Sequence, residues 1–200
     1  MPDSETWSWR LSLADVVADG PFSSLPGIDR WIAVARGTGM ELRVESLDGR
    51  DDVSVLDESS DPVLFSGDRP ARCRVLDGPL VDLNLMIRRG WADGVLDVVR
   101  LGPGDVRQLV NPTAVVVLSG AAEIGVNTLA PFDAALPEEE LFDAGDRTPW
   151  IVHAIEPSRV AIVTVTTISP QPESHTPTRV THVRTECQPP PRGGRWHSDP

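Results

Sequence analysis

From Trp7 to Ser169 the chain is cut into short Val-, Ile-, Leu- and Trp-rich runs by a glycine, proline or aspartate at intervals of roughly ten residues. Runs this short, with turn formers between them, rarely offer the ten or so periodic residues that a stable helix needs. Strands are expected over Ile32–Ala35, Glu41–Ser46, Cys73–Leu76, Val81–Ile87, Val95–Leu101, Ala114–Leu118, Ile151–Ile155 and Val160–Ile168. Only Asp15–Ala18 and Pro137–Phe142 suggest single helical turns. The pattern predicts an all-β protein with little helix.

Ile32-Ala-Val-Ala-Arg-Gly37 is echoed 83 residues later by Val115-Val-Val-Leu-Ser-Gly120, each a strand running into a glycine turn. Arg74–Met86 and Val152–Val165 share a second strand–turn–strand order. If the echo is a duplication, two stacked β-sandwich or barrel lobes follow, each closing its own strand edges. After Pro170 seven prolines fall among residues 170–200, a composition too polar to offset the entropy of ordering it. Residues 171–200 are expected to be a disordered tail, in which Thr178–Val183, TRVTHV, alternates like a strand that could dock as an edge.

Composition removes several function classes. The net charge of −12 repels phosphate backbones and anionic membranes, so nucleic acid and membrane are not expected partners. All 18 basic residues are arginine, which excludes lysine-based covalent and phosphate-loop chemistry. No apolar run reaches the roughly 20 residues of a membrane span, and Asp3 and Glu5 do not read as a cleaved secretory signal, so a cytoplasmic location is expected. Cys73 and Cys187 are expected to be reduced thiols. The four histidines all lie after Trp150 and form no H-x-H pair, so no metal and no other cofactor is expected.

Phe65–Arg89 is the richest stretch. A turn on Gly78-Pro79 would pair Cys73–Leu76 with Val81–Asn84 as a hairpin, placing Cys73, Val75, Asp82, Asn84, Met86 and Arg88 on one face. A carboxylate, an amide and a thioether beside a thiol suit a barrel interior that holds a polar ligand; a solvent-facing side, with Asp82 paired to Arg88 or Arg72, fits the same alternation. Asp29 and Arg30 end the Pro26-Gly27 turn, and an arginine there could hold a ligand carboxylate by two parallel hydrogen bonds, or the two residues could neutralise each other.

Trp7-Ser-Trp-Arg10, Pro21-Phe-Ser23, Pro26-Gly-Ile-Asp-Arg30, Phe65-Ser-Gly-Asp68, Cys73-Arg-Val-Leu-Asp-Gly-Pro79 and Asp82-Leu-Asn-Leu-Met86 with Arg88-Arg89 resemble, in order and spacing, the HutD/Ves family. Leu83 stands where an aromatic is expected. The resemblance implies a bicupin-like fold with two RmlC-like jelly-roll lobes, in a single domain over residues 1–170 divided near 1–94 and 95–170. It implies a non-catalytic protein with a regulatory or accessory role in histidine utilisation, binding a small carboxylate of the urocanate or formylglutamate class. On that reading Arg30 clamps the carboxylate beside Asp29, Asp82 and Asn84 read polar groups, Met86 packs the stem, and Cys73 and Arg88 complete the lining. A homodimer is compatible with the same resemblance. Two alternatives stay open: an isomerase or hydrolase acting on a related acid with Asp82 as base, and a stress-related interaction protein.

Overall fold

A computed structural model describes residues 7–46, 48–137 and 149–168, together with the backbone of 181–183. The first half contains β1 (Trp9–Val16), β2 (Gly20–Pro21), β3 (Ile28–Arg36), β4 (Met40–Val44), β5 (Asp52–Leu56), β6 (Val63–Ser66), β7 (Ala71–Val75) and β8 (Leu80–Arg88). The second contains β9 (Ala92–Leu101), β10 (Val106–Leu109), β11 (Ala114–Ser119), β12 (Ala122–Ile124), β13 (Asn127–Leu129), β14 (Ala134–Ala135), β15 (Trp150–Ala154) and β16 (Ser158–Thr167), followed by β17 (Thr181–Val183). No helix occurs among the described residues. All eight strands expected from the sequence are present, but Asp15–Ala18 is not a helical turn: Asp15 and Val16 finish β1, where Leu11, Leu13 and Val16 are held by burial. Pro137–Phe142 falls almost wholly outside the described residues.

Four sheets stack as two sandwiches. The first lobe faces β17-β1-β8-β3-β6 against β2-β7-β4-β5, and the second faces β14-β11-β16-β9 against β10-β15-β12-β13. The β1 and β9 sheets lie back to back. Leu11, Leu13, Leu83, Leu85 and Ile87 from the first lobe meet Leu96, Val116, Leu118, Ala161 and Val163 from the second in a shared apolar layer. Two further cores fill the sandwiches, one around Ile32, Met40 and Leu42, the other around Val115, Val117 and Val160. Thr181–Val183 adds to β1 in parallel, opposite Ser12–Ala14.

β7 and β8 do not form a hairpin. β8 lies between β1 and β3 with both edges filled, and β7 pairs with β2 and β4 in the opposing sheet. The Asp77-Gly78-Pro79 turn, with Gly78 at φ 77°, carries the chain from one sheet across to the other. This resolves the mixed polarity of both strands. Arg72 and Arg74 face solvent while Cys73 faces inward; Val81, Leu83, Leu85 and Ile87 of β8 face the second lobe, while Asp82, Asn84 and Met86 face the first lobe's interior.

Candidate functional site

From Leu80 to Ile87 β8 is buried on both faces, so its even-numbered side chains up to Met86 are shielded from bulk water. Asp82 is 1% exposed, Asn84 4% and, projecting from β3 on the same inward face, Arg30 4%. The register orders them. Arg30 stands beside Met86, Ile32 beside Asn84, and Val34 beside Asp82. On the other flank β1 sets Arg10, Ser12 and Ala14 beside Met86, Asn84 and Asp82. Across the sandwich, Met40, Leu42 and Cys73 complete an otherwise apolar wall.

The Arg30 guanidinium lies over the rings of Phe22 and Phe65, 5.0 and 5.1 Å from their centroids, and donates one hydrogen bond of 3.3 Å to the Ser23 carbonyl. Two aromatic faces stabilise a cation that has left water and fix the plane of its fork. Burial nevertheless lowers its pKa, with Asp82 opposing that effect. Burial acts more strongly on Asp82, raising its pKa to about 7 against the attraction of Arg30. Arg30 Nε, Asp82 Oδ1 and Asn84 Oδ1 are buried without any hydrogen-bond partner. A buried polar atom left unpaired costs about 1–3 kcal/mol, and three around one interior describe a polar lining that a guest could satisfy.

The remaining expected site residues divide. Met86 and Cys73 line the interior, from β8 and β7. Asp29 does not, because neighbouring residues on a strand point to opposite faces: as Arg30 turns in, Asp29 turns out and pairs with Arg89 at 3.0 Å. Arg88 is also outside the interior. Its guanidinium lies 5.5 Å from the Trp7 ring and 5.1 Å from the Trp91 ring, and its Nε donates to the Trp7 carbonyl at 3.0 Å. These groups line a cleft of about 450 Å³ with Ser24, Leu25 and Arg89. Ile28 and Arg88, paired one register row beyond Arg30 and Met86, place the cleft at the Arg30 end of the lobe. Its rim is braced by Asp68, which accepts from the Gly27 N–H at 2.8 Å and from Arg89 and Ser66, bonds that hold its pKa down to about 2.

Phe22, Phe65 and the Ser23 carbonyl were not legible as site residues, because the loop and the β3–β6 register that bring them to Arg30 are tertiary. Arg10 and Ser12 did leave a signal: in Trp9-Arg-Leu-Ser-Leu13 they alternate with apolar residues that face the shared layer. No group of three or more histidine, cysteine, aspartate or glutamate side chains gathers as a metal site among the described residues.

Two stacked β-sandwich lobes, one with charged and amide groups inside it, give the chain a bicupin-like fold. A family model, HutD, matches residues 1–148, and the chain belongs to the HutD family. A Pseudomonas putida protein described as an uncharacterized 21.2 kDa protein in the hutC 3′ region is 37% identical over 95 residues, which is 44% of this chain and 47% of that one. The chain thus matches about half the length of that relative. Protein Ves of Cronobacter sakazakii is 30% identical over 141 residues, 69% of this chain and 73% of that one. Among solved structures, HutD from Pseudomonas fluorescens SBW25 is similar with a TM-score of 0.61 and 26% identity, covering 81% of this chain and 80% of that chain. The fold alone extends to oxalate decarboxylase of Lactobacillus farciminis, at a TM-score of 0.52 and 8% identity over 74% of this chain and 76% of that one.

Proposed function

We propose that this HutD-family chain binds a small carboxylate metabolite inside its first lobe and serves histidine utilisation in the cytoplasm as a regulatory or accessory protein, without turning its ligand over. One observation carries the reading: Arg30, Asp82 and Asn84 are buried together in an apolar lobe with polar atoms left unpaired. A stable fold gains nothing from this, since apolar residues of similar volume at buried ionic positions are often neutral or stabilising. The stacked arginine is suited to a carboxylate, and the cleft beside Arg88 gives a ligand an approach to that end of the lobe. The relative in the hutC 3′ region supports acids of histidine breakdown, the urocanate and formylglutamate class, as the first to test. The net charge of −12 disfavours direct action on nucleic acid, so regulation would act through the metabolite or a protein partner.

Thermal unfolding with urocanate, formylglutamate, glutamate and histidine tests the reading. A ligand at a hundred times its Kd adds about 2.7 kcal/mol of stability, and Arg30→Ala should abolish that gain. No shift with any acid removes the proposal. The pKa of Asp82, raised to about 7, favours a second reading in which its carboxylate acts as a general base on the bound acid. Against it, Asp82 is the one buried carboxylate among the described residues, with no buried histidine to act as its complement. Loss of the ligand over time by mass spectrometry would establish that second reading.

A further inference from the structure

The outer sheets of the two lobes share their strand order and differ in what they turn to solvent. β2-β7-β4-β5 in the first lobe is matched by β10-β15-β12-β13 in the second, and Arg74 beside Glu41 is matched by His153 beside Glu123. Two residues along on the same face, the first lobe sets Arg72 beside Arg43. Both are engaged by carboxylates, Arg72 by Glu45 at 3.9 Å and Arg43 by Asp51 at 3.4 Å. In the second lobe the same register, carried one residue past Ile124 and Val152, sets Ile151 beside Gly125. Ile151 is 51% exposed, and Val106, opposite His153 on β10, is 63% exposed. Ile155 continues the alternation just past β15, where its N–H donates to the Ala121 carbonyl at 2.9 Å, and it is 46% exposed. The central rows that the first lobe fills with ion pairs are therefore largely apolar in the second.

This face is complementary to itself in charge and in shape. Across β15 and β12, Ile155 stands beside Ala121, His153 beside Glu123 and Ile151 beside Gly125. Each large or basic side chain on one strand thus has a small or acidic neighbour on the other. A two-fold axis parallel to these strands and midway between them would bring a second copy in face to face, with each isoleucine over an alanine or glycine. It would also set each His153 over the other copy's Glu123. Nδ1 and Oε2 of that pair are 3.1 Å apart within one chain, so the contact would be an alternating cluster of two imidazoles and two carboxylates. Glu123 is the one carboxylate on the four strands. Two chains of net charge −12 meet little mutual repulsion when they approach through it.

We propose that the outer face of the second lobe is the contact between two copies of this chain, related by a two-fold axis running along β12 and β15. Four strands about 4.8 Å apart and about four residues long present roughly 250 Å². A standard stable interface takes about 800 Å² from each partner. The dimer is therefore weak and forms as concentration rises.

Sedimentation equilibrium of the full-length chain between about 5 and about 500 µM tests this, with the average mass expected to climb from one chain toward two. Ile151→Glu should hold the mass at one chain throughout, and Val106→Glu serves the same purpose should that variant unfold. Val53→Glu, at an exposed valine on the first lobe's outer sheet, should leave the association unchanged. His153→Glu should abolish it, and combining His153→Glu with Glu123→His should restore it, since the exchanged row is again complementary to itself. A wild-type chain that stays single at every concentration overturns the proposal and leaves the apolar face to a different protein. Association that survives Ile151→Glu and Val106→Glu, or that Val53→Glu removes equally, overturns it by placing the contact elsewhere. Failure of the double exchange to restore association overturns the two-fold arrangement.

Discussion

In the first lobe β3 bulges between Val34 and Arg36 against β8 and turns at Gly37; in the second, 83 residues on, β11 bulges between Val117 and Ser119 against β16 and turns at Gly120. The sequence echo is therefore an echo of backbone irregularity, which is harder to reach by chance than an echo of strand composition. The interior chemistry diverges on this shared frame. Val34 stands beside Asp82, while its counterpart Val117 stands beside Val160; Ile32 stands beside Asn84, while Val115 stands beside Ile162. The second lobe shows that the architecture closes with apolar residues at both positions. Asp82 and Asn84 are therefore not requirements of the fold, which supports the proposal that the first lobe receives a ligand.

The comparison breaks most sharply by exchange. Val160→Asp puts a carboxylate into the second lobe at the position of Asp82, with no Arg30 and no cavity chemistry to receive it. The expected cost is about 5 kcal/mol, or failure to fold, read from urea denaturation. A cost under about 1 kcal/mol would mean that the two interiors are equally tolerant of charge, and the contrast would lose its meaning. The reverse change, Asp82→Asn, should reveal itself through pH. An aspartate titrates near 3.9 in the unfolded chain and near 7 in this lobe. Between those values the native state binds more protons than the unfolded state, so wild-type stability falls as pH rises from about 4 to about 7 and levels off above. Asp82→Asn removes that slope. Its stability relative to wild type should be lowest at pH 4 and rise by at most about 4 kcal/mol at pH 8; a difference that does not vary with pH would place the Asp82 carboxylate in water.

Alternation made most of the strands legible, and it also marked Asp82, Asn84 and Met86 as one face of β8. It could not say which side was which, because a strand covered on both faces breaks the usual rule that one face is polar because it is wet. The odd residues of β8 are apolar because a second lobe lies behind them, and the even ones are partly polar because they line an interior. The Asp-Gly-Pro turn reads as a hairpin in the sequence for a related reason: turn chemistry specifies a reversal of the chain, not whether the returning strand pairs with its neighbour or crosses to the facing sheet. Asp29 points out of the lobe toward Arg89, since adjacent strand residues cannot both face inward. Phe22 and Phe65 lie 8 residues before and 35 after Arg30 in sequence, and no local pattern joins them to it.

The lobes also differ in how they reach each other. Arg159 of β16, at the second lobe's bulge, is buried and donates to the carbonyls of Val34 at 2.8 Å and Ala35 at 3.0 Å, at the first lobe's bulge. Its pseudo-equivalent in the first lobe is Val81, which pairs with Arg36 across that bulge and sends no donor back. Arg159→Met should cost about 3 kcal/mol, since two carbonyls lose their donors in an apolar layer, and it should weaken binding of the acid because Val34 flanks Asp82. Val81→Met should leave binding unchanged. Equal effects of the two substitutions on binding would show that the bulge is held by packing and not by the guanidinium.

The smallest effect tests whether the two turns are one device. Gly37 has φ 115° and Gly120 φ 76°, in the left-handed region that side chains rarely adopt. A Cβ at Gly37 would come within 2.8 Å of Leu80 Cβ and 3.0 Å of the Pro79 carbonyl, where β8 begins. At Gly120 it would come within 2.3 Å of the Pro157 carbonyl and 2.5 Å of Ser158 Oγ, where β16 begins. Both glycines therefore let the bulged strand turn directly beneath the start of the strand it pairs with. Gly37→Ala and Gly120→Ala should each cost about 1–3 kcal/mol, from positive φ and from the displaced backbone. Gly120→Ala should be the costlier, because its closest contact is a carbonyl oxygen that cannot move without breaking the turn. Only Gly37→Ala should change ligand affinity, because β8 alone carries interior polar groups from that turn inward. An equal loss of affinity in the two variants would mean that the lobes transmit strain to the site alike.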